Sequence, residues 1–225
     1  MHQKDIVYFS YNSQKELDIK ATKFIIKKAA LSIKNSGKFS LVLSGGTTPV
    51  NVYKLLAKEK INFEKWCIYF GDERCFPLNH PERNSYVAQS IWLSKVNIPK
   101  ANIFIIPAEA GNEEAAISYE KVLDSEKAFD LVILGMGDDG HTASLFPNQK
   151  WDDLRQVIPI KDAPKSPSDR VSLTPSRLSN SDEVLFLIAG KNKLNAFNQY
   201  KSDGNLPANS VSALNKISVM TFDLI

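Results

Sequence analysis

The 225-residue chain lacks the features that mark several common classes of protein. It holds only two cysteines, Cys67 and Cys75, which we expect to be free thiols in a reducing cytoplasm, although their spacing leaves a disulfide open. Its three histidines are far apart and its cysteines lack metal-ligand spacing, so we expect no metal site. No run approaches the ~18 apolar residues of a membrane span. Residues 1–5 are polar, so we expect no signal peptide.

The chain also has little net charge. The net charge is +3, and no dense basic run with interleaved aromatic residues occurs, so we expect neither nucleic acid nor an anionic membrane as a partner. Hydrophobic residues make up 43% and charged residues 24%, which is ordinary for a globular protein. No feature indicates an obligatory protein partner, but a few well-placed cations could bind a small anionic substrate.

Strand and helix patterns alternate along the chain. Short apolar runs typical of strands lie at residues 6–9, 39–43, 66–70, 103–106, 131–134, 156–160, 170–173, 184–189 and 217–222. Helical patterns lie at residues 15–34, 49–56, 84–93 and 112–123. This alternation predicts a single α/β domain over residues 1–225, Rossmann-like, with a mostly parallel twisted sheet and helices on both faces. The proline-rich segment 161–169 is either a domain boundary or a surface loop near the site, and its short length favours the loop.

The strand ending at Leu134 leads into the most informative segment of the chain. Glycines stop this apolar run, and Asp138, Asp139 and His141 follow where a helix is expected to begin. In open α/β sheets, ligands and reactive groups lie at such carboxyl edges. A histidine exchanges a proton near neutral pH, so His141 suits general-base catalysis, although it could simply cap or pack a turn. The segment also matches G-x-G-x-x-G, but no acidic residue ends the next strand, so we predict a turn that orients His141 rather than a dinucleotide site.

A second glycine segment, Ser44-Gly45-Gly46-Thr47, follows a buried strand and opens a helix. Its backbone N–H groups, hydroxyls and helix dipole predict a phosphate or carboxylate cradle, with a simple capped turn as the alternative. The segment lacks the Gly-Lys-Ser/Thr of a P-loop. It also lacks the first glycine of a hydrolase nucleophile elbow, because Val42 stands there.

Three cations complete the candidate site. Arg74 follows Asp72 and Glu73 after a buried strand, and it could bind an anion or pair with its acidic neighbours. Arg170 begins a later strand, and Lys193 follows another, with Lys191 as an alternative to Lys193. Each could instead be an ordinary exposed charge.

Together these motifs resemble the 6-phosphogluconolactonase family. The matching motifs are Ser44 to Pro49, Asp72 to Pro77, Arg83 to Tyr86, Gly135 to Pro147, Arg170 to Thr174 and Gly190 to Lys193, and Pro207-Ala208-Asn209-Ser210 weakly echoes a Pro-Ala-Ser segment of the family. The resemblance implies the fold of sugar-phosphate isomerases and deaminases, and hydrolysis of 6-phospho-D-glucono-1,5-lactone in the oxidative pentose phosphate pathway. It implies no metal or redox cofactor.

The resemblance also assigns roles to residues. His141 is expected to be the general base, with Asp139, or else Asp138, orienting its imidazole. Ser44, Gly45, Gly46, Thr47, Arg170 and Lys193 are expected to surround the phosphate. Arg74 is expected to support the lactone end or the Asp72-Glu73 loop.

Three other functions remain as alternatives. A deaminase of the same fold is expected to carry Gly-His-Ile-Ala-Phe-Asn-Glu-Pro, whereas this chain has Gly-His-Thr-Ala-Ser-Leu-Phe-Pro at residues 140–147 and so lacks the second acidic group. A non-catalytic sugar-phosphate sensor would not need a histidine beside an aspartate. A dinucleotide oxidoreductase rests only on the G-x-G-x-x-G match.

Overall fold

The structure is a computed structural model that describes residues 5–152 and 154–224. His2 and most of the polar N-terminal segment lie outside these residues. In chain order the strands are β1 (Ile6–Tyr11), β2 (Phe39–Leu43), β3 (Trp66–Phe70), β4 (Asp72–Arg74), β5 (Phe129–Leu134), β6 (Val157–Ile160), β7 (Arg170–Leu173), β8 (Ser181–Ala189) and β9 (Lys216–Phe222). The α-helices are α1 (Gln14–Ser36), α2 (Thr47–Leu56), α3 (Asn84–Ile91), α4 (Asn112–Leu123), α5 (Pro175–Ser179) and α6 (Leu194–Lys201).

Six strands form a parallel sheet in the order β1-β9-β8-β5-β2-β3. Its central strands are apolar on both faces; β2 and the last four residues of β5 are wholly buried. Since parallel crossovers are right-handed, α1 and α2 lie on one face and α4, α5 and α6 on the other. The predicted α/β architecture, a mostly parallel sheet with helices on both faces, is confirmed.

The arrangement of three other strands was not predicted from the sequence. β4, β7 and β6 form a separate antiparallel sheet, in which Asp72 pairs with Ser172 and Arg74 with Arg170. The sequence patterns of β6 and β7 predicted strands but could not show that they leave the main sheet. The strand predicted at residues 103–106 was wrong, because only Ile103 forms a bridge, to Ile68 at the edge of the parallel sheet.

The helix expected at His141 was also wrong. The chain instead forms a tight turn, in which the Gly137 N–H donates to the His141 carbonyl at 2.8 Å. The Thr142 hydroxyl then donates to the Gly135 carbonyl at 2.8 Å, and Ala143 has a positive φ of 48°. These local bonds and the left-handed residue prevent a helical start.

The helices begin and end where local chemistry favours it. The Ser13 hydroxyl accepts the Glu16 N–H at the start of α1, and Gly37 ends this helix with φ 81°. The buried side chains of both sheets belong to one hydrophobic core, which includes Leu134 and Val171. No helix in the described part of the chain is both long and apolar enough to cross a membrane.

The topology brings two loops to one place. The chain leaves β2 towards β3 but leaves β5 towards β8, in the opposite direction, while β2 and β5 are neighbours. Ligands of open α/β sheets bind where the strand order reverses in this way. The loops after β2 and β5 carry the glycine segment at residues 44–47 and the turn that ends at His141.

Candidate active site

A cleft of about 410 Å³ opens at this reversal. Its lining comprises Ser44, Gly45, Gly46, Thr47, Thr48, Pro49, Asp72, Arg74, Asn84, Gly135, Met136, Gly137, Asp138, His141, Thr142, Ala143, Lys165, Arg170, Leu187, Asn192 and Lys193. The structure therefore brings together every predicted site residue except Asp139, which lies directly behind His141. Lys191 is not part of this lining.

His141 and Asp139 form a close pair. The Nδ1 atom of His141 lies 2.5 Å from Oδ1 of Asp139, and the same oxygen accepts the His141 backbone N–H at 3.1 Å. A carboxylate at Nδ1 favours the tautomer with the proton on Nδ1. The Nε2 atom is then unprotonated and can accept a proton. Asp138, the alternative partner, instead pairs with Lys165 at 2.7 Å.

Two glycines make this pair possible. A Cβ atom on Gly137 would lie 2.0 Å from His141 Nδ1 and 2.6 Å from Asp139 Oδ1, so only glycine lets the imidazole lie against the backbone. Gly140 has φ 81°, a left-handed conformation that glycine adopts without strain. The glycines of this segment therefore shape the turn around His141, and no helix follows to present its N-terminus to a dinucleotide.

The surroundings of His141 set its proton affinity. Its ring lies 4.8 Å from the ring of the buried Phe146. Burial lowers the pKa of His141 below its usual value, although Asp139 acts in the opposite direction. Burial disfavours the Asp139 carboxylate, but the hydrogen bonds from His141 outweigh it and lower the pKa of Asp139. The pair is therefore a neutral imidazole beside an ionised carboxylate at neutral pH.

The loop after β2 forms one wall of the cleft. Gly46 precedes α2 with φ 96°, and the N-terminus of α2 borders the cleft. The Tyr53 hydroxyl accepts the Ser44 N–H at 3.0 Å and donates to the Ser44 carbonyl at 2.9 Å, which fixes the loop. A Cβ atom on Gly45 would lie 2.1 Å from Asn84 Oδ1, so this glycine allows Asn84 to approach.

In the Asp72-Glu73-Arg74 segment, Glu73 stabilises the fold and Arg74 lines the cleft. Glu73 is fully buried and accepts the backbone N–H groups of Asn84 and Ser85 at the start of α3, at 2.7 and 2.9 Å. Arg83, also fully buried, contacts Glu73 at 3.4 Å. Arg74 lines the cleft, and its Nη1 donates to the Glu82 carbonyl at 2.5 Å.

Three further residues that line the cleft are cationic. Arg170 holds the proline-rich loop, because its guanidinium donates to the carbonyls of Lys165, Ser166 and Pro167 at 2.9 to 3.0 Å. Lys165, in that loop, and Lys193 both line the cleft. Burial lowers the pKa of Lys193 below its usual value. The charge of Asp138 acts in the opposite direction, and the charge of Lys165 lowers the pKa further. Lys191 is 72% exposed and faces Asp223, so Lys193 is the lysine at the cleft.

Sequence reasoning gave no role to several cleft residues, among them Lys165, Asp72 and Asn84. Lys165 lies in a segment whose composition resembles an exposed linker, so no local pattern distinguishes it. Asp72 and Asn84 were quoted within motifs but given no role. The buried Asp72 carboxylate accepts the Asn84 amide at 3.0 Å and the Ser144 hydroxyl at 2.7 Å, and so links three segments of the chain beside the cleft. Only the assembled fold shows these contacts.

The arrangement suits attack of water on an anionic substrate. The same cleft holds a proton acceptor, Nε2 of His141, and three cations, Lys165, Lys193 and Arg170, together with the N-terminus of α2. Among the described residues, no group of three or more His, Cys, Asp or Glu side chains could hold a metal ion.

Comparison with known proteins gives a consistent result. Residues 12–220 match the family described as glucosamine-6-phosphate isomerases/6-phosphogluconolactonase. A curated 6-phosphogluconolactonase of Nostoc sp. is 35% identical over 195 residues, covering 83% of this chain and 81% of that protein. The crystal structure of 6-phosphogluconolactonase from Thermotoga maritima superposes with a TM-score of 0.89 at 30% identity, covering 97% of this chain and all of that one. A monomeric glucosamine-6-phosphate deaminase, at 20% identity and a TM-score of 0.82, shares the fold over 96% of this chain and 97% of its own.

Proposed function

The chain belongs to the glucosamine-6-phosphate isomerase/6-phosphogluconolactonase family, and from this membership we propose that it hydrolyses 6-phospho-D-glucono-1,5-lactone to 6-phosphogluconate in the oxidative pentose phosphate pathway. The observation that carries the proposal is the His141–Asp139 pair, 2.5 Å apart, at a cleft that is also lined by Lys165, Arg170 and Lys193. The proposal treats residues 1–225 as one domain that acts in the cytoplasm on a small sugar phosphate.

His141 is the general base of the proposed reaction. Its Nε2 atom takes a proton from water while the water oxygen bonds to C1 of the lactone. The tetrahedral intermediate then collapses, the bond from C1 to the ring oxygen breaks, and the imidazolium returns its proton to that oxygen. A positioned base contributes about 10²–10⁴-fold to such a step. Asp139 keeps the proton on Nδ1 and stabilises the imidazolium that forms transiently.

The cations that line the cleft bind the phosphate. Lys193 and Lys165 supply charge, and the N–H groups at residues 45–47 supply donors at the start of α2. Arg170 acts by holding the loop that carries Lys165, because much of its guanidinium already donates to that loop. Phosphate binding, remote from C1, holds the lactone in place for attack.

Arg74 also lines the cleft and stabilises the oxyanion that develops on the C1 carbonyl. Its Nη1 atom is held by the Glu82 carbonyl, and the Arg74 N–H donates to Glu73 at 2.9 Å. A guanidinium held in advance need not reorganise when charge develops, which is the main advantage of such groups.

The test is hydrolysis of freshly prepared 6-phosphogluconolactone, with the spontaneous reaction subtracted. We expect wild type to turn over rapidly, and His141→Ala to lose about 10²–10⁴-fold in kcat. Asp139→Asn should lose a similar factor, because its amide no longer favours the Nδ1 proton. Circular dichroism and Tm confirm that each variant is folded.

Two outcomes would replace the proposal. Wild type that binds 6-phosphogluconate but never exceeds the spontaneous rate would be a sugar-phosphate sensor. Ammonia release from glucosamine 6-phosphate, without lactone hydrolysis, would identify a deaminase.

A further inference from the structure

A segment far along the chain packs behind the His141 turn. We call residues 206–210 the rear segment; it comprises Leu206 and the 3₁₀-helix Pro207–Ser210. A Cβ atom on Gly140 would lie 2.7 Å from both Cδ1 and Cδ2 of Leu206, so these methyl groups lie directly against the Gly140 backbone. The Ala208 N–H also donates to the Gly140 carbonyl at 3.2 Å. None of these residues lines the cleft.

The rear segment is itself firmly held. The Asn209 amide donates to the Tyr200 carbonyl at 3.0 Å, at the end of α6. The Asn209 N–H donates to the Leu206 carbonyl at 2.9 Å, and the Ser210 hydroxyl donates to the Pro207 carbonyl at 2.5 Å. Pro207 and Ala208 are buried. The segment therefore supports Gly140 as a fixed surface.

Gly140 connects the rear segment to the His141–Asp139 pair. It stands between Asp139 and His141 and has a left-handed φ of 81°. A rotation of its backbone moves the two side chains relative to each other. Glycine does not restrict this rotation by itself, because it populates many backbone conformations. Contacts from outside the turn must restrict it.

We propose that Leu206 is a positioning residue for His141, which acts with the Ala208 N–H to fix the Gly140 turn and so the His141–Asp139 contact. Leu206 does not touch the substrate in this role. The proposed reaction assigns no role to the Pro-Ala-Asn-Ser sequence at residues 207–210, and this proposal assigns it one. Its kinetic consequence rests on the proposed lactone hydrolysis, whereas its structural consequence does not.

The experiment compares Leu206→Ala, Leu206→Val and Leu206→Met with wild type. Leu214→Ala is the matched control, because Leu214 is 63% exposed and lies outside the cleft lining. We measure kcat and KM for 6-phosphogluconolactone, inhibition by inorganic phosphate, and the low-field proton NMR signal of His141 Nδ1–H. Asp139→Asn assigns that signal by removing it.

We expect Leu206→Ala to lower kcat about tenfold or more, since an error of about 1 Å in a catalytic group can cost 10²-fold, while KM and phosphate inhibition change less than about twofold. The low-field signal should weaken or broaden. Leu206→Met, which restores much of the apolar contact, should recover both kcat and the signal, and Leu214→Ala should match wild type. A role confined to folding would lower Tm without moving the signal or kcat per folded molecule.

The proposal is overturned if folded Leu206→Ala keeps the wild-type kcat and the wild-type signal. Should Leu206→Ala fail to fold, Leu206→Val decides by the same two measurements. Wild type without lactonase activity would defeat the proposed function but not this proposal, which the NMR signal alone would then support or refute.

Discussion

Gly137→Ala should move the proposed catalytic histidine, His141, without changing the rest of the cleft. The new Cβ atom would lie 2.0 Å from His141 Nδ1 and 2.2 Å from Cε1. Non-bonded heavy atoms require about 3.5 Å, so the imidazole must move by about 1.5 Å. The Gly137 backbone cannot easily move instead, because it donates to the His141 carbonyl at 2.8 Å and accepts the Gly140 N–H at 3.2 Å.

The displacement should act on catalysis and little on binding. A shift of this size separates Nδ1 from Asp139 and moves Nε2 away from the attacking water. We expect kcat to fall about 10²-fold, the cost of misplacing a catalytic group by about 1 Å, and not beyond the 10²–10⁴-fold that a base supplies. KM should stay within about threefold of wild type, because the three atoms nearest the new methyl group belong to His141 and Asp139 and not to a cation.

The assay is steady-state lactone hydrolysis beside a matched methyl addition. Gly71→Ala adds the same group where the nearest heavy atom is 3.5 Å away, an ordinary contact, and outside the cleft lining. It should keep kcat. A Gly137→Ala enzyme with kcat within threefold of wild type would refute the steric reasoning and the place given to His141.

Three further outcomes follow from charges and burial. Since burial lowers the pKa of His141 below its usual 6.5, the base is still largely unprotonated at pH 6.5, and kcat/KM should begin to fall, by tenfold per pH unit, only below that lowered pKa. Lys193→Met should raise KM about 10–100-fold, the value of a charge-assisted hydrogen bond, whereas Lys191→Met should not. Arg83→Met should lower the free energy of unfolding by about 3–5 kcal/mol, measured by denaturant titration, because it leaves the fully buried Glu73 carboxylate without its cation.

Each of these has a result that contradicts it. An inflection of kcat/KM above pH 6.5 would mean that the group titrating is not the buried His141. Equal effects of the Lys193 and Lys191 substitutions would indicate a diffuse field rather than a phosphate contact. A change below 1 kcal/mol for Arg83→Met would mean that the three backbone N–H groups on Glu73 suffice to stabilise it.

Sequence reasoning reached the parts of the site that local chemistry determines. Apolar runs that end in glycines predicted the strands, and parallel strands must end at one edge, which brought residues 44–47 and His141 together. Sequence reasoning failed for features that depend on contacts between residues far apart in the chain. The antiparallel sheet depends on the pairing of β4 with β7, and Lys165 reaches the cleft only through its contact with Asp138 and the bonds from Arg170. Leu206 contacts Gly140 across a separation that no local pattern encodes.

One side chain supports the proposal that this cleft hydrolyses a lactone rather than an amino sugar. At residues 140–147 the deaminase pattern places its acidic residue where this chain has Phe146. Phe146 is buried and its ring lies 4.8 Å from His141, so an apolar group replaces a second acid–base partner beside the base. The same ring contributes to the burial that lowers the pKa of His141 and keeps it unprotonated. A lactone, already an activated ester, needs only that base. Phe146→Glu should therefore raise the pKa of His141, because a carboxylate stabilises the imidazolium, and slow lactone hydrolysis at pH 6; an unchanged pH profile would show that Phe146 has no part in the choice.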